Sequence, residues 1–495
     1  MADPNTASGL KIIIDSNVFI AIEDHDEHGS VETLWAAEFV QLASRLHASL
    51  IIASGTKDDI LRGNAPRRQK RLAQLAKYHV LEKAAIRSDL APAAGFPPIR
   101  SPNDESDLEI LGALDSGAAD WLVTDDGKLR RRASRAGYAD NVFSLQDALE
   151  TIRGFIQQPT TTPNIKTVQG YQVDLSARVF DSIKMDYPEF PDWWRLRVAY
   201  DGRDILIVGD ETDPEGIAVL KIEFDHPYAL EDKVLKICTF KVEESFSGSR
   251  RGELLLSASI DYARKNKCSH IYSEVLPTKY PFIEWLQTFG FEPLQAVTTA
   301  RNETVMLKTL VPNSVAISPS AILDFAVTYG PRALVLQNPL IVPIMENWRR
   351  RLLPEPEMQP ELFQYNEACG NAIRKAYLCN ASIRTLAQGD TLLFYESHGR
   401  SSVVSIGVLE STLVSRDQAE ILRFVGNRTV YSPEEIAKLC ASRDVLAFRF
   451  RFDRTLAQPW SREALNNAQA MTGCPQSIQR VRQEGIEWVR IRLAG

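Results

Sequence analysis

At four places in the first third of the chain an aspartate stands where an apolar strand ends or a helix-like stretch runs. Asp15 closes KIIID, Asp59 opens one helix-like stretch, Asp107 lies on a second, and Asp126 follows WLVT. Carboxylates delivered from strand ends and nearby helices suit a site for Mg²⁺ or Mn²⁺. Hard divalent ions prefer oxygen ligands and offset the charge repulsion that would otherwise raise some of the carboxyl pKa values. Taken singly, each aspartate is equally a helix cap. Two basic runs follow, Arg67, Arg68, Lys70 and Arg71 and then Lys128, Arg130, Arg131 and Arg132, placed to meet a phosphate backbone or simply to face solvent.

The elements that must hold these groups follow from periodicity. Short apolar strands (KIIID, SLIIAS, DWLVTD) alternate with helical patterns (VETLWAAEFVQLASRL, DLEILGALDSG, LQDALETIRGF), which argues for a mainly parallel α/β sheet. Such sheets carry their sites at the carboxyl ends of strands, where Asp15 and Asp126 fall. Polar, Pro-containing seams at QQPTTTPN (157 to 164) and VPNSVAISPSA (311 to 321) divide the chain near 160 and near 315. A length of 495 residues agrees with three parts at roughly 150 residues each. The middle part is strand-rich: DILIVGD, EGIAVLKIEF and KVLKICTFKVEE precede a helix (ELLLSASIDYARKN), a strand (HIYSEV) and a helix (PFIEWLQTFG). In the last part, short strands (TLLFYES, SVVSIGVLES, VLAFRFRF) and a helix near NEACGNAIRKAYL predict a compact, mostly β module.

Composition excludes several classes. Hydrophobic residues make up 44% and charged residues 24% of the chain, as in a soluble globular protein. The net charge of −7 gives no global case for nucleic acid. From Pro331 onward, however, 19 Arg and 2 Lys stand against 17 Asp and Glu. Guanidinium groups pair with phosphate and stack on bases, although a solvated surface accounts for the same bias. The six cysteines form neither a CxxC pair nor a Cys/His ligand spacing, which points away from zinc and disulfides and toward a reducing cytoplasm. MADPNTASG lacks the character of a signal sequence, and no run of about 18 apolar residues predicts a membrane span.

IDSNV, Asp59 followed by Ile60 and Leu61, and DLEILGALDSGAADWLVTDD together resemble the PIN domain, a metal-dependent ribonuclease fold, over roughly residues 10 to 150. The resemblance implies Asp15, Asp59, Asp107 and Asp126 as metal carboxylates and catalytic groups, with Asp104 or Asp125 as alternates and Asn17 and Thr124 as orienting polar groups. Asp59 stands where the family commonly has Glu. The implied reaction is phosphodiester hydrolysis, in which the metal activates water and stabilises charge on the phosphate.

KICTFKVEESFSGSRRGELLLSASIDYARKN is a strand, a Gly/Ser/Arg turn and an amphipathic helix. Free amides at a helix start attract pyrophosphate, and glycine permits close approach. With HIYSEV and FIEWLQTFGFE following, residues 165 to 310 resemble the GNAT acetyltransferases. That resemblance assigns the amides of Gly248, Ser249, Arg250, Arg251, Gly252, Glu253 and Leu254 to acetyl-CoA, and Gly290 with Phe291 to a closing motif. Ser247, Arg250 and Gly252 occupy the key positions of the family's phosphate loop. Lys279 replaces a common Asn, and Leu286 replaces the Tyr that protonates the departing thiolate. Glu243 or Glu244 is the candidate general base and Tyr280 a substitute acid. Trp193 and Trp194 are core aromatics or acceptor-site walls.

GNAIRKAYL, IRTLAQGDTLLFYES, SVVSIGVLES and GNRTVYSPEEI resemble ASCH and related PUA-like β-barrels over residues 330 to 495. Arg374, Lys375, Arg384, Arg428 and Tyr431 then offer phosphate pairing and base stacking. Ser432 before PEEI is equally a helix cap, and Cys379 a buried apolar residue or a nucleophile.

The expected architecture is α/β and α+β multidomain: a PIN-like parallel sheet (1–157), a GNAT-like mixed sheet (165–310) and a PUA-like β-barrel (330–495). The expected function is a metal-dependent endoribonuclease joined to an acetyl-CoA-binding N-acetyltransferase and an RNA-binding module, toxin-like, with an antitoxin or other protein partner and no membrane. The alternatives are an N-acetyltransferase acting on RNA, aminoacyl-tRNA or protein over a non-catalytic PIN scaffold, and a non-catalytic RNA-binding adaptor.

Overall fold

The computed structural model describes the chain from Leu10 to Ala494, apart from residues 24–30, 47, 63, 64, 84, 98–100, 157–164, 229, 231, 232, 244–248, 296–298, 300, 313–320, 355–367, 381, 382, 384 and 398. Both predicted seams fall almost entirely outside the described residues.

Five strands, β1 (Lys11–Ile14), β2 (Ser49–Ile52), β3 (His79–Val80), β4 (Trp121–Val123) and β5 (Val142–Phe143), form a parallel sheet in the order β3-β2-β1-β4-β5. Its strands are too short and too apolar to alternate, because both faces are covered. Ile12 and Ile14 join Phe19, Phe39 and Trp121 on one face, while Ile13 and Leu122 join Ile110 and Leu129 on the other. The chain leaves β1 toward β2 on one side, and β4 lies on the other, so a crevice opens at the carboxyl ends of these two central strands. Two helices close over that end, Ser54–Ile60 and Pro102–Asp115. They cross at Gly55, where any Cβ would collide with the backbone carbonyl of Ser106.

A second sheet holds β6 (Ile165–Val168), β7 (Asp204–Gly209), β8 (Pro214–Glu223), β9 (Val234–Val242), β10 (His270–Val275), β11 (Glu292–Pro293) and β12 (Thr304–Thr309), in the order β11-β12-β10-β9-β8-β7-β6. All its described pairings are antiparallel except β9 with β10. The amphipathic helix Arg251–Lys265 buries Leu255, Leu256 and Ile260 on one face of the sheet, and Phe180, Phe190 and Trp194 cover the other.

The third sheet is mixed: β13 (Leu340–Met345), β14 (Arg374–Cys379), β15 (Thr391–Ser397), β16 (Ser402–Ser415), β17 (Val445–Ser461) and β18 (Gln479–Arg480), ordered β14-β17-β16-β15-β13-β18. The expected barrel is not seen among the described residues, where β14 and β18 remain the two ends of an open, bulged sheet. The helix expected near NEACGNAIRKAYL is also corrected. Only Ala368–Asn371 is helical there, and RKAYL lies in β14. Lys375 through Leu378 are all buried, and a run buried on both faces has no period that separates strand from helix.

Buried charge joins the three units. Asp140, between β4 and β5, accepts hydrogen bonds from Arg428 at 3.0 Å and Arg449 at 2.7 Å and ion-pairs with Arg374 at 3.6 Å, all from the third unit. Arg374 also meets Glu410 at 2.9 Å, and Arg423 meets Asp120 at 3.0 Å. Between the second and third units, Lys308 is fully buried and donates to the carbonyls of Phe289, Val327 and Thr328. Gly290, in left-handed conformation at φ 80°, abuts the backbone of the helix Ile322–Tyr329 so closely that no side chain fits there.

Burial alone would push the Asp140 carboxyl up, but three guanidiniums outweigh it and hold the group well below the usual carboxylate range. Its folded pKa is therefore depressed, so the stabilisation is complete above the unfolded value of about 4 and fades as pH falls toward the folded one. Asp140→Asn leaves three guanidiniums without their shared anion, which is expected to cost about 3–5 kcal/mol of stability at pH 7. Denaturant midpoints should show that gap narrowing below about pH 4; a variant as stable as the parent at pH 7 contradicts this role.

Candidate functional site

The acidic residues do gather at the carboxyl end of the first sheet. Asp15 follows β1 and is buried, with its backbone N–H on the Val123 carbonyl. Thr124 Oγ1 donates to Asp15 Oδ2 at 2.7 Å, and Asn17 Nδ2 reaches the same oxygen at 3.2 Å. Asp126 caps the helix Gly127–Arg135, its carboxylate accepting from the amides of Lys128 and Leu129. Asp125 accepts from the amide of Leu145. Asp59 lies near the end of the helix Ser54–Ile60 rather than opening one as the sequence suggests, and it pairs with Arg62 at 2.7 Å.

Burial raises the Asp15 carboxyl, and the charges of Asp59 and Asp126 add to that, against the Thr124 and Ser16 hydrogen bonds. Burial likewise raises Asp59. For Asp107, burial outweighs the nearby Arg132, and with the charges of Asp126 and Asp15 it pushes the carboxyl up to about 6.

A guanidinium is the counter-ion of two of these carboxylates. Arg132 is buried and donates to Asp107 Oδ2 and Asp104 Oδ1, each at 2.6 Å. It also lies over the Phe96 ring, 3.9 Å from its centre. The Ser101 hydrogen bond, then Arg132 and Lys128, hold Asp104 well below the carboxylate range. Among the described residues, no three acidic, His or Cys side chains converge closely enough to hold a metal ion. As arranged, the residues do not fit Mg²⁺ or Mn²⁺: Asp107 and the alternate Asp104 are committed to Arg132, Asp126 to a helix cap, Asp59 to Arg62, and Asp15 to Thr124 and Asn17.

Both basic runs are also partly internal. Arg71 is buried against Gln74, and Arg131 stacks on Tyr280 of the second unit at 4.1 Å, while Arg68 and Lys70 are exposed. The side chain of Arg67 lies outside the described residues.

The second sheet opens a cleft. β9 and β10 pair only at Val234, Leu235 and Lys236 with His270, Ile271 and Tyr272, and then diverge. A bulge in β9 at Cys238, between the Val219–Thr239 and Leu220–Ile237 pairs, bends the strand away from its neighbour. The cleft between them has a volume of about 740 Å³. Phe240 of β9 and Phe282 and Trp285 of the helix Tyr280–Gln287 stack along one wall, with ring centres 5.5 to 5.8 Å apart. Phe190, Trp193 and Tyr187 form another part of the lining.

Charged side chains line the floor in pairs. Lys236 meets Glu274 at 2.7 Å, and the Tyr228 hydroxyl donates to the same carboxylate. Lys221 meets Glu223 at 2.6 Å, and the Tyr272 hydroxyl donates to Glu223. Burial pushes Glu223 up, yet Lys221 and Tyr272 outweigh it and lower its pKa. The Tyr187 hydroxyl donates to Glu303 at 3.0 Å, and Lys279 pairs with Asp186 at 2.6 Å.

At the cleft mouth stands Gly252, second residue of the helix Arg251–Lys265 and in contact distance of Trp285. The first-turn amides of such a helix have no partner within it. Arg250 caps the helix at φ 60°, in the left-handed region that glycine favours. Arg251 binds Glu215, and Ser249 is buried. Leu254 donates its N–H to the Arg250 carbonyl. Gly248, Ser247 and Glu244 lie outside the described residues.

Two expectations at this site need correction. Glu243 lies past the end of β9 with its N–H on the Glu215 carbonyl, and it does not join the described cleft lining, where Glu223, Glu274 and Glu303 stand instead. Tyr280 turns toward the first unit, under Arg131 and against Gly127. Of the two tryptophans, Trp194 is core, donating to the Gly170 carbonyl, whereas Trp193 lines the cleft beneath Arg203. Leu286 is buried in the core.

The RNA-facing set of the third unit is corrected as well. Arg374 and Arg428 are taken up by the Asp140 cluster, and Lys375 Nζ is buried on the carbonyls of Cys369 and Gly370. Tyr431 is buried, donates to the Leu378 carbonyl and stacks on Trp348. Arg384 lies outside the described residues. Ser432 is a helix cap, in a capping box with Glu435.

No protein-family model matches the chain, and no curated protein is significantly similar to it. Solved structures resemble parts of it. ASCH from Zymomonas mobilis is 14% identical over 31% of this chain and 94% of its own, with a TM-score of 0.25. A structure assigned to the GNAT family of acetyltransferases from Desulfovibrio desulfuricans is 16% identical over 30% of this chain and 99% of its own, TM-score 0.24. Ard1 from Thermoplasma volcanium is 14% identical over 31% and 100%, TM-score 0.24. No described helix is long and apolar enough to cross a membrane.

The raised Asp107 pKa sets a pH signature opposite to that of Asp140. An acid held at about 6 when folded and about 4 when unfolded favours folding while protonated. Its contribution therefore falls as pH rises from about 4 to 6, by roughly 3 kcal/mol, and is flat above. Asp107→Asn removes this titration while Asp104 still holds Arg132. The variant's melting temperature minus the parent's should become more positive between pH 4.5 and pH 7; a difference independent of pH contradicts the assignment.

Proposed function

We propose that the second unit is an acyl-CoA-dependent N-acyltransferase that uses a primary amine as acceptor, in a chain of three domains divided as the sequence divides them. One observation carries this reading: a parallel strand pair that diverges into a deep cleft, with a glycine-bearing helix start at its mouth. Past Lys236, β9 and β10 are no longer paired, although the Ile237 carbonyl still takes the Ser273 hydroxyl; the rest of β9 lines the cleft, where an extended amide chain would run along it.

The residues fit acetyl-CoA. The first turn of the Arg251–Lys265 helix, with Gly252 on the cleft, would receive the pyrophosphate, and Lys241 also lines that cleft. Glu253 would oppose an anion on this turn, but its side chain points to the third unit and is neutralised there by Arg250, at 3.2 Å, and Arg428. Phe240, Phe282 and Trp285 would cover the apolar arm and exclude water. When bound, acetyl-CoA supplies an acyl group activated as a thioester.

The chain's own groups handle the acceptor. Glu274, fixed by Lys236 and Tyr228 where the strands part, would accept the proton that the amine loses on attacking the acyl carbon, while the carbon–sulfur bond breaks and CoA leaves as a thiolate protonated from solvent. The Trp193 and Tyr187 rings wall the opposite side, and Glu303, bonded to Tyr187, can orient a cationic amine.

The carboxylate cluster favours a second reading, a nuclease module. Asp15, Asp107 and Asp126 lie within electrostatic reach of one another, but with Arg132 as counter-ion that reading requires the guanidinium to withdraw. Mn²⁺-dependent RNA cleavage by the parent, lost in Asp15→Asn and Asp126→Asn, would support it; no cleavage by the parent removes it.

The acyltransferase reading is tested by calorimetry with acetyl-CoA and by thiol release in the presence of spermidine, a lysine peptide and a peptide with a free amino terminus. Gly252→Asp should weaken acetyl-CoA binding, because it sets a side chain and a negative charge against the pyrophosphate. Glu274→Gln should retain binding and lose about 10²- to 10⁴-fold in transfer rate. A parent protein that does not bind acetyl-CoA defeats the reading, and full transfer by Glu274→Gln removes the base.

A further inference from the structure

We infer that the anion-binding turn of the second unit is completed by the third: Asn371 and the backbone that follows it are positioning residues for the cofactor's pyrophosphate. The inference rests on the acyltransferase reading above. The turn and first helical residues, Ser249 to Glu253, take their described tertiary hydrogen bonds largely from outside their own sheet. Asn371, itself buried, donates from Nδ2 to the Ser249 carbonyl at 3.0 Å. The Ile373 N–H donates to Glu253 Oε2 at 2.7 Å, and the Arg374 N–H approaches the same oxygen at 3.4 Å.

Two bonds thus grip the segment on either side of Arg250, the residue held in a left-handed conformation at φ 60°. That conformation is strained for an L-residue, so it persists where neighbours fix it. Asn371 is fixed in turn, because Lys375 Nζ ties down the carbonyls of Cys369 and Gly370 just before it. Direction matters as much as rigidity. Bonding Glu253 to the third unit turns its carboxylate away from the cleft and leaves the first-turn amides facing an anion unopposed. A turn preformed in this way spares the ordering cost that a loose loop would incur on binding.

Asn371 lies within the stretch 330–495, so the proposed site draws a positioning group from outside the segment to which the sequence assigns the cofactor amides. A role confined to the pyrophosphate also separates positioning from general support of the fold. Ligands that carry the diphosphate should feel the change, and those that lack it should not.

The test measures affinities of the full-length protein for CoA, inorganic diphosphate and pantetheine, with melting temperatures beside them. Asn371→Ala should bind CoA and diphosphate about tenfold more weakly, the scale of one lost hydrogen bond to a fixed partner, with pantetheine unchanged. Arg332→Ala, which breaks the Arg332–Asp261 pair elsewhere between the same units, should leave all three affinities unchanged. Should Asn371→Ala fail to fold, Asn371→Leu makes the same comparison, since it removes the Nδ2 donor to the Ser249 carbonyl while nearly keeping the volume and adding no charge. CoA binding by the parent that persists undiminished in these variants overturns the inference alone. Equal losses for pantetheine and CoA also overturn it, by showing a general effect. No CoA binding by the parent overturns the acyltransferase reading and this inference together.

Discussion

The arrangement of the three units depends on one carboxylate. Asp140 sits in a short connection of the first unit and is met by Arg374, Arg428 and Arg449, which belong to a sheet far along the chain. Three guanidiniums could not be buried together without it, since each lost solvation costs several kcal/mol and their mutual repulsion adds to that. Burial holds Arg428 down to about 10 even with the carboxylate present. From this point the charges run outward, through Arg374 to Glu410 and through Arg428 to Glu253. The alternation of sign allows a polar interface between units to be dry.

That chain of charge ends at the cleft. Glu253 is the first-turn acid of the helix whose start faces the proposed cofactor position, and its bonds to Ile373 and Arg428 direct it toward the third unit. The same contacts that assemble the units therefore shape the electrostatics of the mouth. The first unit shows the converse: Arg132 satisfies Asp104 and Asp107 internally, so the acidic site at its sheet end is closed to a cation by a side chain of its own helix. A shared logic of buried guanidinium against carboxylate builds the assembly in one place and fills a catalytic-looking site in another.

Apolar strands were readable in the sequence from their composition and bounding turns: KIII, DILIVG, EGIAVLKIE, HIYSEV and TLLFYES all lie on strands, and ELLLSASIDYARK on its helix. The helix start at Gly252 was readable from the turn chemistry before it. What escaped is what depends on distant partners. Arg428 looks like an RNA contact until Asp140, 288 residues earlier, is placed beside it, and Arg132 looks like one of a solvated charge run. The cleft carboxylates Glu223 and Glu274 carry no local signal, because the divergence of β9 and β10 comes from a bulge at Cys238 that periodicity does not announce. RKAYLC misled for a related reason, since a strand buried on both faces loses the alternation that identifies it.

The central claim is that a cofactor at the mouth of the second unit's cleft is held by a turn that the third unit keeps in place. Amide hydrogen exchange followed with and without acetyl-CoA addresses it directly, because it reports each backbone segment in the intact protein. The account predicts slower exchange on binding in residues 249 to 256 and, coupled to it, in residues 371 to 376, with the first sheet unchanged. Protection confined to 249 to 256, with no response at 371 to 376, would contradict the coupling, and no protection at either would contradict the site itself.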